Sequence, residues 1–76
     1  MAVRYRKHLI LPTIYQDEAT GAWSGTAQVQ FTEKLTFHNV SIRGSILFRT
    51  KREAEKHIVQ QAKEWIDERL RAGARN

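Results

Sequence analysis

The chain has 76 residues, with 13 Lys and Arg against 8 Asp and Glu, and no cysteine. A chain this short makes one domain, buries only roughly 60% of its unfolded surface, and here has no disulfide to help it. The net charge of +5 favours polyanionic partners, whether nucleic acid, acidic protein or anionic lipid. No apolar run approaches the roughly 20 residues that cross a bilayer. The start, MAVRYRKHLILPTIY, is basic and then apolar, but its apolar patch is short and β-like and lacks a small-residue cleavage site. The expectation is a soluble cytoplasmic protein.

Residues 5–15, YRKHLILPTIY, read as a first strand, with Pro12 pointing to an edge or a bulge because it lacks a backbone donor. Asp17, Thr20 and Gly21 are turn formers, and Gly21 can supply a positive φ for a hairpin. From Trp23 to Thr32 the alternation is clean. Trp23, Ala27, Val29 and Phe31 share one face, with Gly25 a gap in it, and Ser24, Thr26, Gln28, Gln30 and Thr32 take the other. Glu33 and Lys34 form a second tight turn. A third strand runs from Leu35 to Ile42, with Leu35 and Phe37 on one face and His38, Val40 and Ile42 on the other; its parity allows a bulge near Asn39.

Gly44 breaks the pattern, and Ser45 to Phe48 reads as a connector, extended or a short fourth strand. Thr50 and Glu53 form a capping box, each side chain serving the other's backbone donor. Ala54, Ile58, Ala62, Trp65, Ile66 and Leu70 then make one apolar stripe on a helix from Lys51 to about Arg71, which Gly73 would cap. The predicted fold is α+β, a three-stranded antiparallel meander with one C-terminal helix on one sheet face (β-β-β-α). The ordered core spans about 4–72, with Met1–Val3 and Gly73–Asn76 as tails.

Catalytic chemistry finds little purchase. Ser24, Ser41 and Ser45 have no nucleophile context, and turn chemistry accounts for Asp17. Glu53, Glu55, Glu64, Asp67 and Glu68 lie along the helix, where pairs such as Lys63–Asp67 and Asp67–Arg71 explain them. His8, His38 and His57 share no metal-ligand spacing. His8 and His38 fall on the outer strands, roughly 10 Å apart, and His57 is placed to pair with Glu53. No enzyme activity, metal or cofactor is expected.

The cations carry more information. Arg43, Arg49, Lys51 and Arg52 follow one another without an acid, and in this topology the end of the third strand and the start of the helix share a pole. Lys56 joins them one turn down. Bases at a helix start oppose its dipole, by about 0.3–1 kcal/mol each. A bound phosphate would reverse that sign, since helix amides and cations would act together. The plainer reading is that these long side chains simply reach solvent. Arg4, Arg6 and Lys7, with Arg69, Arg71 and Arg75, gather at the opposite pole, where the helix C-terminus welcomes them.

The segment Thr50-Lys51-Arg52-Glu53-Ala54-Glu55-Lys56 resembles the start of the last helix of double-stranded RNA-binding domains. That family's Ser/Thr-Lys-Lys-x-Ala-Lys signature sets lysines on phosphates across the major groove. Thr50, Lys51, Arg52 and Ala54 match, while Glu55 stands where the third lysine belongs and Lys56 comes one position late. The β-β-β-α order is similar to that fold's second half. The family's first helix and its Gly-Pro-x-His loop, which contact the minor groove, have no counterpart here. The resemblance therefore implies a topology and one phosphate contact, not full duplex recognition.

Asp17 to Trp23, Phe48 to Glu55 and Trp65-Ile66-Asp67 also resemble the hairpin and helix of small uncharacterised bacterial domains that have no assigned activity. The layout is similar, more loosely, to the N-terminal part of HicB-type antitoxins, without their Pro-Asp-Leu-Pro-Gly segment. Two functions remain. One is nucleic-acid phosphate binding, RNA or DNA, through Arg43, Arg49, Lys51, Arg52 and Lys56. The other is a protein-interaction or homodimerisation module that uses the polar sheet face of Gln28 and Gln30 or a strand edge.

Overall fold

The computed structural model describes residues 2–44 and 46–74. Four strands form one antiparallel sheet in chain order: β1 Val3–Tyr5, β2 His8–Gln16, β3 Trp23–Glu33 and β4 Thr36–Arg43. The helix α1, Lys51–Ala74, follows. The expected meander of three strands becomes one of four because the segment at residues 5–15 is cut at Arg6-Lys7, and Val3, expected in the N-terminal tail, joins Arg4 and Tyr5 as β1. Arg6 and Lys7 both adopt positive φ, 48° and 66°, as a two-residue hairpin requires. Such turns ordinarily carry Asn-Gly, so Arg-Lys gives no sequence signal.

The left-handed backbone costs these side chains free energy, and local contacts offset it. The Arg6 carbonyl lies 2.8 Å from His8 Nδ1, and the Arg6 guanidinium donates to Asp67 of α1 at 2.7 Å. The β3–β4 turn repeats the device at Lys34-Leu35, with φ of 51° and 65°. It falls one residue later than Glu33-Lys34, and it takes Leu35 off the strand into full solvent exposure.

The β3–β4 register is continuous from Thr26↔Arg43 to Glu33↔Thr36, so there is no bulge at Asn39. Pro12 is tolerated because β1 begins at Val3, opposite Ile10, which leaves β2 an edge beyond that point. The inward face carries Ile10, Ala27, Val29, Phe31 and Ile42, and Ile58, Ala62 and Ile66 of α1 close over it, with Ala54 also buried on the same helix stripe. The even spacing of these four helix residues puts them in one stripe, and the two alanines bring the helix close to the sheet. Trp65 packs at the margin of this core.

Gly25, a gap in the strand pattern, is a packing requirement. A Cβ there would lie 2.7 Å from Ile14 Cδ1 and 3.3 Å from Ile58 Cγ2. The connector pairs once with β3, through Phe48 and Trp23 at 2.7 and 2.8 Å, and is otherwise irregular among the described residues. The helix runs through Gly73 to Ala74. Gly73 is therefore helical, neither cap nor tail, because its φ stays negative. Arg75 and Asn76 lie outside the described residues.

Candidate nucleic-acid interface

The meander has two ends. At one end lie the β2–β3 turn, the end of β4, the connector and the start of α1. At the other lie the two tight hairpins and the end of α1. The first end holds the five predicted cations. Arg52 and Lys56, one turn apart, share the helix strip away from Ala54 and Ile58, with Lys51 and Glu55 on a neighbouring strip. Arg49 directly precedes the cap. Arg43 departs from the group: its register partner Thr26 belongs to the sheet face turned away from α1. The end therefore brings four of the five together and sets Arg43 around the corner of the sheet.

All five side chains are exposed. Among the described residues none of them forms an ion pair. Four carboxylates share this end. Asp17 is occupied by its turn, accepting from the Ala19 amide at 3.2 Å and the Thr20 hydroxyl at 2.9 Å. Glu18 is exposed in the same turn, and Glu55 lies beside Lys51. Glu53 accepts from the Thr50 hydroxyl at 3.0 Å, while Thr50 Oγ1 accepts from the Glu53 amide at 3.2 Å. The capping box is thus half formed: the Glu53 carboxylate serves Thr50's hydroxyl rather than its backbone amide. His57, expected to pair with Glu53, instead tilts against Phe48 with ring centroids 5.0 Å apart.

The opposite end gathers Arg4, Arg6, Lys7, Arg69 and Arg71, as their sequence positions imply, together with Lys34. Here three of the six cations are paired, while Arg4, Lys7 and Lys34 form no ion pair among the described residues. Arg6 meets Asp67, Arg69 meets Glu33 and Arg71 meets Glu68. Asp67 also accepts from the Tyr5 hydroxyl at 2.9 Å, and Lys63 lies over the Tyr5 ring at 5.4 Å. The expected pairs Lys63–Asp67 and Asp67–Arg71 are replaced because β1, unseen in the sequence, reaches the helix first. The Arg6 guanidinium and then the Tyr5 hydroxyl hold the Asp67 carboxyl below its ordinary range. The same hydrogen bond from Tyr5 to Asp67 raises the Tyr5 phenol.

His8 on β2 and His38 on β4 lie either side of β3, one strand between them, as expected. They flank Phe31, with centroids 4.7 and 5.0 Å from its ring, and Arg69 sits 4.1 Å from the same ring. His8 is buried, and its Nε2 has no partner among the described residues. The neighbouring strands were legible, but the stack depends on register, which sets Phe31 opposite His38 and Gln30 opposite Leu9, and no local pattern fixes register. Among the described residues no cluster of three or more His, Cys, Asp or Glu could hold a metal ion. No helix among them is long and apolar enough to cross a membrane. No protein-family model matches the chain, and no curated protein or solved structure matches it either.

Proposed function

We propose that the chain is a small non-catalytic binding domain that holds nucleic-acid phosphates without reading sequence, through Arg43, Arg49, Lys51, Arg52 and Lys56. The observation that carries this reading is the contrast between the two ends. Three of the six cations at the hairpin end are paired with acids, leaving Arg4, Lys7 and Lys34, whereas all five at the other end, Arg43 included, are exposed and unpaired among the described residues. Lys51, Arg52 and Lys56 line the first two turns of α1, where backbone amides and the helix dipole favour an anion. Phosphates would add negative charge to a helix start whose first turn holds Glu53 as its acidic residue. The match of Thr50, Lys51, Arg52 and Ala54 to the RNA-binding signature supports the same placement. Arg43, around the corner of the sheet, would meet a phosphate further along the backbone.

The test is anisotropy with fluorescent RNA and DNA duplexes across a salt series. Contact through about four cations gives a log–log salt slope near −3 to −4. Lys51→Glu with Arg52→Glu should abolish most binding and flatten the slope by roughly 2. Lys7→Glu with Lys34→Glu, at the hairpin end, should change affinity far less. Undiminished binding by the first pair, or no binding to either duplex at low salt, would sink the reading.

A further inference from the structure

β4 is an outer strand of the sheet, and its free edge carries only one charged residue, Arg43 at its end, as protection. Natural edges are blunted by lysine, proline, bulges or short length. The edge on the other side of the sheet shows two of these: β1 has only three residues, and Pro12 follows on the exposed part of β2. By contrast β4 has eight residues, Thr36-Phe-His-Asn-Val-Ser-Ile-Arg43, with no lysine, no proline and a regular register. Phe37 is 63% exposed on it. The helix lies mainly over β2 and β3 and leaves most of β4 uncovered.

Its backbone polarity follows from one bond. The Gly44 amide donates to the Gly25 carbonyl at 2.9 Å, so Gly44 turns its peptide groups toward β3. Peptide direction alternates along a strand. Ile42, Val40 and His38 therefore also face β3, and Phe37, Asn39, Ser41 and Arg43 present free amides and carbonyls outward.

We propose that this edge pairs antiparallel with β4 of a second copy, about a two-fold axis through Val40. In that register every outward residue finds a bonded partner: Phe37 opposite Arg43 and Asn39 opposite Ser41, each twice. The guanidinium then lies beside an aromatic ring on the outer face. Asn39 meets a hydroxyl, Val40 meets Val40, and no two like charges are opposed. A register centred on Asn39 would set Arg43 against the turn residue Leu35 and lose the outer bonded pairs. Because the axis is perpendicular to the sheet, both helices lie on one face of a joined eight-stranded sheet. The opposite face becomes continuous and nearly free of charge. Its polar residues are mainly Thr, Gln, Asn and Ser, with Arg43 of β4 and Arg4 of β1 as its charges in each copy. The partner is a second copy rather than an unrelated peptide because the sequence of the strand is complementary to itself in this register.

The test needs no nucleic acid, so it stands apart from the phosphate-binding reading. Sedimentation equilibrium of the full chain from micromolar to millimolar concentration should show a dimer. Asn39→Lys with Ser41→Lys puts like charges opposite and should weaken the dimer by about tenfold. Asn39→Lys with Ser41→Glu should restore it, since lysine then faces glutamate. The chain has no cysteine, so single substitutions report the register directly. Val40→Cys sets two Cα atoms about 4.5 Å apart across the axis, within disulfide reach. Mild oxidation should cross-link it much faster than Asn39→Cys. Circular dichroism verifies that each variant folds. A wild-type monomer at millimolar concentration overturns the proposal, and so does faster cross-linking of Asn39→Cys.

Discussion

Single residues carry strain and packing that can be tested one at a time. Leu35 has φ of 65° and is fully exposed, so its side chain contributes no contact to offset the left-handed backbone. Leu35→Gly should raise stability by about 1 kcal/mol, read from denaturant midpoints. Gly25→Ala should do the opposite. Its new Cβ would press on Ile14 and Ile58, and overpacking of this kind costs about 1–3 kcal/mol. The Asp67 clip has a pH sign. Its folded pKa is depressed by Arg6 and then Tyr5, so its contribution is present above the ordinary carboxylate value and is lost as pH falls through the folded value. Acid titration should release β1, seen as amide shifts of Val3 to Tyr5 toward random-coil positions below the usual carboxylate range. Asp67→Asn should remove that transition. An unchanged titration in the variant would show that Asp67 does not hold β1.

Among the elements, α1 separates function from stability. Cations at its start oppose the helix dipole, so Lys51→Glu and Arg52→Glu should each stabilise the fold by about 0.3–1 kcal/mol while removing phosphate binding. A rise in Tm together with loss of binding is the signature of residues kept for a ligand rather than for the fold. A fall in Tm would mean that their stems pack. Thr50→Ala removes the acceptor of the Glu53 amide and should cost about 1 kcal/mol. The strand β4 is the complementary case, because its sequence builds a good strand and protects the edge only with Arg43 at its end.

At the scale of the whole molecule, the domain is elongated, with extents of 45 × 21 × 16 Å, and cations collect at its two ends. Its small core makes any partner a large fraction of its stability. If two copies pair through β4, Tm should climb with protein concentration by mass action, and the Asn39→Lys, Ser41→Lys variant should lose that dependence. In the paired form the helix-start ends point in opposite directions along the strands. Duplex binding should then show two sites per dimer, countable by titration calorimetry. One site per dimer would mean that the two ends act on the same stretch of nucleic acid.

The pattern of residues by itself determined the α+β class, the long strand at Trp23 and its two faces, the turn at Asp17–Gly21, the cap at Thr50 and the helix stripe. Each is written in local periodicity or turn chemistry, which needs no distant partner. The tertiary structure alone decided the rest. It turned one apolar segment into β1 and β2, because Arg6 and Lys7 accept a strained conformation that His8 and Asp67 help to hold across a gap of sixty residues. It recruited Asp67 away from its helical neighbours, stacked His8 and His38 on Phe31, and carried the helix through Gly73. It also left the edge of β4 open, since which strand ends a sheet depends on the order of all the others. The five cations were readable in the chain, but the pairing of their counterparts at the other end was not. Ion pairs between strand and helix follow from packing, and packing is non-local.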